Sequence, residues 1–320
     1  MLKVNDIRFE SAEHVIQEIR NMNVKGGSPF GRAAAWAYKL ACDQEVFSNR
    51  EELQNRLDYL SSEMLELKPT MATIYNSKNL VYALLEANID AEVLEIQEKI
   101  SKLCQKIIDI SLEAVEKLGQ FGGNIIQDGE TVFMHSYSSA LMSVFIHAAK
   151  QGKRFTVICT ESRPLRESRL AAQILQSYQI SVIYITDASA WEFMPKADYI
   201  MVGADTITFD GSVANKMGTA LISKLAKMCN KKVYIASEIY KIDLRTKEGY
   251  QVKLERRTIE EMIQKGDFDS LDGIEVINQF FDLTPADDIH SIICEFGVIH
   301  PSTVGEYWGK LEKFIMEAAR

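Results

Sequence analysis

The stretch GADTITFDGSVANKMGTALISKLAK, residues 203–227, gathers an acid, an amide, a lysine and a glycine turn just ahead of an apolar helical pattern. Asp205 follows Gly203 and Ala204, which are too small to crowd a ligand. Asn215 and Lys216 precede Gly218 and Thr219 at the helix start, where unpaired N–H groups and the macrodipole attract anions. Phosphate is the natural guest. The GxxxxGK[ST] order of a Walker loop is absent, and no GxGxxG fingerprint follows the first strand. On its own, Asp205 is equally a turn or capping residue or an acid catalyst, and a lone Lys216 more often marks a solvated surface.

Other polar clusters end apolar runs. FMHSYSSALMSVF, residues 133–145, puts His135, Ser136, Tyr137 and Ser138 where a strand gives way to a helix, either as caps or as ligand contacts. A second run delivers Glu161, Ser162 and Arg163, with Arg169 further on; a third ends at Asp187; another delivers Ser237, Glu238, Tyr240 and Lys241. Near the amino terminus, Lys25, Gly26, Gly27 and Ser28 stand ahead of an alanine-rich helix, which is either a plain turn or a further anion site.

The elements that must hold these residues fall into two rhythms. Residues 1–122 read as a helical domain. Leu53, Leu57, Leu60, Met64 and Leu67 share one helical face, and Ile96, Ile100, Leu103, Ile107, Ile110 and Ala114 extend another over about eight turns until GQFGGN, 119–124, breaks it. Packing on neighbouring helices suits so short a repeat better than a coiled-coil seam. Residues 123–320 alternate apolar runs (131–135, 154–161, 180–187, 199–205, 231–237 and 289–295) with helical stretches, a βαβ series. Runs apolar on both faces predict a mainly parallel sheet covered on both sides, an α/β, Rossmann-like domain with ligands beyond the carboxyl ends of its strands. Residues 246–273 are charged and aperiodic and read as an excursion or subunit-contact arm.

Composition narrows the function classes. With 36 Lys plus Arg against 45 Asp plus Glu, the net charge of −9 argues against direct nucleic-acid binding. Five scattered cysteines without CxxC spacing suggest neither a disulfide framework nor a zinc knuckle. The opening MLKVNDIRFE lacks an apolar core flanked by basic residues, and no run approaches the roughly 20 apolar residues that span a bilayer. A cytoplasmic protein with reduced thiols is expected, without membrane insertion.

Taken in order, VKGGSPFGRAAA, KPT (68–70), MHSYSS, TESRP, GADTITFDGSVANKMGT, ASEIYK and FFDLTPADDIHSIICEFGVIHPS resemble the aldose-1-phosphate isomerases related to the α, β and δ regulatory subunits of eukaryotic translation initiation factor 2B. The likeness covers nearly the whole chain. It implies a helical amino-terminal domain, a Rossmann-like carboxyl-terminal domain and a homodimer or larger assembly. It assigns the catalytic aspartate to Asp205, the Asn-Lys pair to Asn215 and Lys216, and further cations to Arg163, Arg169 and Lys241. With Lys25, Gly26, Gly27 and His135 these would bind a phosphorylated sugar or nucleotide; no metal or nicotinamide is required.

Two positions depart from the family pattern. Lys25-Gly26 stands where the enzymes have Arg-Gly, keeping the charge but losing the bidentate fork. Ser136 stands where the resemblance places a proton-transferring cysteine, and a serine hydroxyl is a poor base without a partner. Adjacent strand residues face opposite ways, so His135 is not expected to reach it. Cys159 is a possible substitute thiol, though such cysteines mostly pack. Two functions therefore stand side by side: an isomerase using Asp205 and Ser136, or a non-catalytic regulatory subunit that senses a phosphorylated ligand, as MHSYSS suggests.

Overall fold

A computed structural model describes residues 7–318. The opening residues 1–6 of the segment scanned for export signals lie outside the described residues. The amino-terminal half is helical: α1 (Ala12–Arg20), α2 (Gly27–Gln44), α3 (Arg50–Leu67), α4 (Ala72–Ala87) and α5 (Val93–Ile125). Ser11 and Asn49 cap α1 and α3 by accepting from the amides of His14 and Glu52. Leu53, Leu57, Leu60 and Met64 of α3 are buried, as is the whole stripe from Ile96 to Ala114 of α5. Both faces join the core shared with α2 and α4, so neither forms a coiled-coil seam.

The break expected at GQFGGN does not occur, because α5 runs through it to Ile125, and the boundary placed after residue 122 falls inside this helix. The glycines serve close packing instead. A Cβ at Gly119 would lie 2.2 Å from Ser143 Oγ, and one at Gly122 2.5 Å from Val144 Cγ2. The end of α5 therefore lies directly against α6 (Ser139–Lys150).

The second half holds β1 (Thr131–Met134), β2 (Thr156–Thr160), α7 (Ser168–Ser177), β3 (Ser181–Ile185), α8 (Ala190–Phe193), β4 (Tyr199–Gly203), β5 (Thr206–Thr208) and β6 (Val213–Lys216). It continues with α9 (Thr219–Met228), β7 (Lys232–Ala236), β8 (Ile242–Asp243), β9 (Phe281–Thr284), β10 (Ser291–Cys294), β11 (Gly297–Ile299) and α10 (Val304–Ala318). Among the described residues one sheet of seven strands runs β11-β10-β7-β4-β1-β2-β3, parallel except for β11. The expected α/β fold with a mainly parallel, Rossmann-like sheet is what forms. Phe133 and Ile200 face the core that includes the amino-terminal helices, while Val132, Met134 and Met201 face α6 and α7. Continuous apolar runs reflect this two-sided cover.

A second sheet, β8-β5-β6-β9, was not anticipated. Its strands are two to four residues long and rich in polar side chains, so they carry no strand-like alternation. It carries Lys216 to the site.

The strand order fixes where that site lies. From β1 the chain moves to β2 and β3 on one side, then crosses back to β4 and on to β7 and β10 on the other. Loops after β1 and β4 thus diverge, leaving a crevice of the kind where open α/β sheets bind ligands. Ser136 follows β1 and Asp205 follows β4.

Candidate active site

A cavity of ≈ 490 Å³ opens at this crevice. Of the residues expected to do chemistry, Asp205, Ser136, Lys25, Gly26, Arg169 and Lys216 line it together. In all it presents six cationic side chains (Lys25, Lys68, Arg166, Arg169, Lys216, Arg257) and four acidic ones (Asp205, Glu167, Glu255, Glu261). Met22, Phe30, Met71, Phe280 and Phe281 supply apolar wall.

Asp205 is held by its backbone, which donates to the Ala214 carbonyl at 3.0 Å. Its carboxyl oxygens accept no hydrogen bond from the described residues. Burial pushes this carboxyl up to about 6, with Lys241 and Lys216 pulling the other way and Glu167 and Glu255 adding to the rise. Lys216 reaches the cavity from β6. Its ammonium lies 2.8 Å from Glu167 Oε1, an ion-pair distance without hydrogen-bond alignment, and 2.9 Å from the centre of the Phe280 ring. Burial lowers the Lys216 pKa against the pull of Glu167 and Asp205.

Ser136 adopts a left-handed backbone with φ +66°, as do Ser162 at +58° and Arg166 at +55°. Such conformations persist where surroundings over-determine them. Here Ser136 N–H donates to Ser162 Oγ at 2.7 Å, Ser162 Oγ lies 2.7 Å from Ser168 Oγ, and the Asp187 carboxylate accepts from the amides of Ser162 and Arg163, both at 2.8 Å. The loops after β1 and β2 are therefore laced together. Ser138, by contrast, is the N-cap of α6, accepting from Leu141 at 3.3 Å. The polar cluster splits between cavity and cap.

The other expected site residues stand outside the cavity lining. His135 is buried, with Nε2 2.9 Å from the Met217 carbonyl and Nδ1 2.6 Å from Thr160 Oγ1. A carbonyl only accepts, so Nε2 carries the proton, and burial lowers the ring's pKa, leaving it neutral. Asn215 donates to Thr219 Oγ1 at 3.0 Å. Arg163 sends Nη2 to the Met262 carbonyl at 2.8 Å, fastening the excursion instead of facing a phosphate. Lys241 is buried and donates to the Ala204 carbonyl at 2.8 Å. Gly27, in the first turn of α2, lies over it: a Cβ there would stand 3.1 Å from Lys241 Cε and 3.0 Å from the Asp205 carbonyl. Gly203 leaves room for Ser138, whose Cβ would be 2.4 Å from an added methyl, and not for a ligand.

The anion site expected at the start of α9 is already filled by the chain. Asp282 Oδ2 accepts from the amides of Gly218 at 2.7 Å and Ala220 at 3.1 Å. A carboxylate from β9 thus stands where phosphate was expected.

A profile of the Initiation factor 2 subunit family matches residues 23–301. The chain belongs to this family. It is 35% identical over 302 residues to the ribose 1,5-bisphosphate isomerase of Methanocaldococcus jannaschii, covering 93% of this chain and 95% of that one. It is also 29% identical over 307 residues to the methylthioribose-1-phosphate isomerase of Thermosipho africanus, with 92% and 88% covered. Among solved structures, the translation initiation factor eIF-2B of Pyrococcus horikoshii OT3 superposes with a TM-score of 0.78 at 28% identity, covering 91% of this chain and 97% of that one.

In this initiation factor 2 family member, the described residues lining the cavity include no cysteine. Cys159 is fully buried and burial pushes its thiol up to about 12, so it packs. Reading the residues also missed Lys68, Arg166, Glu167, Glu255, Arg257 and Glu261 in the cavity wall. The last three lie in the excursion, whose strip 253–262 roofs the cavity: Thr70 Oγ1 donates to the Lys253 carbonyl at 2.6 Å and Arg257 N–H to the Asn278 carbonyl at 2.9 Å. Charges without helical period resemble a solvated loop, and only long-range contacts turn them inward. Among the described residues no cluster of His, Cys, Asp or Glu has metal-binding geometry, and no helix is long and apolar enough to cross a membrane.

Proposed function

We propose that this chain is a sugar-phosphate isomerase converting a pentose aldose 1-phosphate into the ketose 1-phosphate. Asp205 carries the reading: a carboxyl pushed up to about 6, in a cavity that presents six cationic side chains. An aldose 1-phosphate has its anomeric oxygen blocked, so its ring opens by breaking the bond between C1 and the ring oxygen as that oxygen is protonated. A carboxyl still partly protonated near neutrality can give that proton. The proton at C2 then moves to C1, and the C2 hydroxyl becomes the carbonyl.

The charge balance points to the substrate. Glu167 engages Lys216, Glu261 engages Arg257 and Glu161 engages Arg166, which leaves Lys25, Lys68 and Arg169 in no ion pair with a carboxylate of the described residues. Three such cations exceed what one phosphate needs, and ribose 1,5-bisphosphate, the substrate named for the M. jannaschii relative, fits that surplus. A dimer or larger homo-oligomer belongs to the same reading. Ile183, Tyr184 and Trp191, exposed on and beside edge strand β3, are apolar groups a second copy would cover. Light scattering tests this.

The competing reading, a sensor that binds a phosphorylated sugar or nucleotide without turnover, is favoured by Ser136. Incubation with ribose 1,5-bisphosphate, methylthioribose 1-phosphate and 5-deoxyribose 1-phosphate, followed by phosphorus NMR, separates them. Ketose formation abolished by Asp205→Asn supports the isomerase. Tight binding with no product supports the sensor, and turnover gained only by Ser136→Cys identifies the thiol as the missing part.

A further inference from the structure

The isomerisation needs two proton-handling groups, and Asp205 accounts for one. The C2 proton must be taken by a base, and a serine hydroxyl such as that of Ser136 is a poor one unless another group takes its own proton. His135 is unsuited, since its Nε2 proton is held by Met217 and its Nδ1 by Thr160. Lys216, Arg166 and Arg169 are cations.

Three further carboxylates line the cavity, and Glu167 is the one carried by the segments that are tied to Ser136. Glu167 lines the same cavity, in the loop that the Ser136–Ser162–Ser168 hydrogen bonds tie to the end of β1. One of its oxygens, Oε1, faces Lys216 at 2.8 Å; the other, Oε2, is buried with no hydrogen-bond partner. A buried carboxylate oxygen lacking a donor is costly unless something supplies one. Glu167 also acts on Asp205 and His135 through its charge. Glu255 also has a buried oxygen without a partner, Oε1, but it belongs to the roof strip, where its charge acts on Lys68 and Asp205.

Resting on the isomerase reading above, we infer that Glu167 is the base that carries the proton between C2 and C1, taking the place that a thiol at position 136 would fill. The protons and electrons balance within the site. Asp205 gives its proton to the ring oxygen as the C1–O bond breaks, and the bonding pair stays on that oxygen. Glu167 Oε2 takes the C2 proton, and the electrons of the C–H bond become the C1–C2 double bond of an enol phosphate. That double bond then takes the same proton from Glu167 at C1, while the C2 hydroxyl forms the carbonyl and returns its proton to Asp205. Both carboxyl groups end as they began, and no oxidant or reductant enters.

The test uses the full chain with ribose 1,5-bisphosphate and phosphorus NMR. Glu167→Gln keeps the shape and removes the basic oxygen, so kcat is expected to fall about 10²- to 10⁴-fold with KM within about threefold. Glu167→Ala is expected to be equally slow and to regain turnover when formate is added as an external base, a rescue that a purely structural role would not show. An active wild type with Glu167→Gln within about threefold of it overturns this inference alone. So does a Glu167→Gln variant whose loss appears entirely in KM, or a slow Glu167→Ala that formate leaves unchanged. A wild type inert toward all three sugars overturns the isomerase reading, and this inference with it.

Discussion

Lys241 donates from Nζ to the carbonyl oxygen of Ala204 at 2.8 Å, which puts its charge behind Asp205 and out of the cavity. Glu238 and Asp205 favour this buried cation, whose pKa burial lowers. Its charge therefore opposes the rise that burial imposes on the Asp205 pKa. Lys241→Met is expected to move the alkaline limb of the kcat/KM profile to higher pH while leaving KM nearly unchanged. It should also destabilise the fold by about 3 kcal/mol, because Glu238 loses its counter-charge. A pH–rate series and a urea titration check the two effects.

The pH profile of the wild type follows from Asp205. If its protonated form opens the sugar ring, kcat/KM should fall about tenfold per pH unit above about 6. Steady-state rates between pH 5 and 9 measure this. A limb that rises through the same range would remove Asp205 from the acid's role.

Stability should carry a related signature. Burial raises Asp282 to about 6 and Glu295 to about 7, so both bind protons more tightly folded than unfolded. Their stabilising contribution is full below the unfolded values of 3.8 and 4.5 and is lost as pH rises through about 6 and 7. The melting temperature should therefore drop between pH 5 and 8. Glu295→Gln should shrink that drop by about 1–3 kcal/mol, seen by calorimetry at the two pH values.

Gly122→Ala offers a test whose sign is informative. In an open helix this change stabilises by about 1 kcal/mol. Here the new methyl would meet Val144 Cγ2 at 2.5 Å, so a loss of roughly 1–3 kcal/mol is expected from forcing α5 off α6. Denaturant midpoints decide between the two.

Asp282→Ala should cost about 1–2 kcal/mol by leaving the Gly218 and Ala220 amides of α9 without their acceptor. The same variant should gain thermal stability from inorganic phosphate more than the wild type does, since the vacated helix start can then take an anion. Equal gains would mean that the cap is not what excludes phosphate.

What could be read in the residues themselves was what periodicity reports. The stripe from Ile96 to Ala114 and the two-sided apolar strands are buried as their spacing implies. Gly119 and Gly122 misled because glycine weakens an isolated helix, whereas here it admits a neighbouring one, and only the packing reveals which. Asp282 was invisible as a cap because it lies 64 positions from the Gly218 amide it receives. Arg163 and Lys241 carry the right charge for phosphate, but a side chain's direction depends on tertiary partners, here the Met262 and Ala204 carbonyls. Glu255, Arg257 and Glu261 were illegible for the same reason, since nothing local distinguishes a roof from a solvated loop.

At 33 residues, α5 is a rod about 50 Å long that belongs to both halves of the molecule. A beam shared in this way ties the helical half to the sheet without a flexible link at their boundary. On the isomerase reading, a sugar entering the crevice would have to pass the thin strip at 253–262, which hangs from Thr70, Asn278 and Arg163.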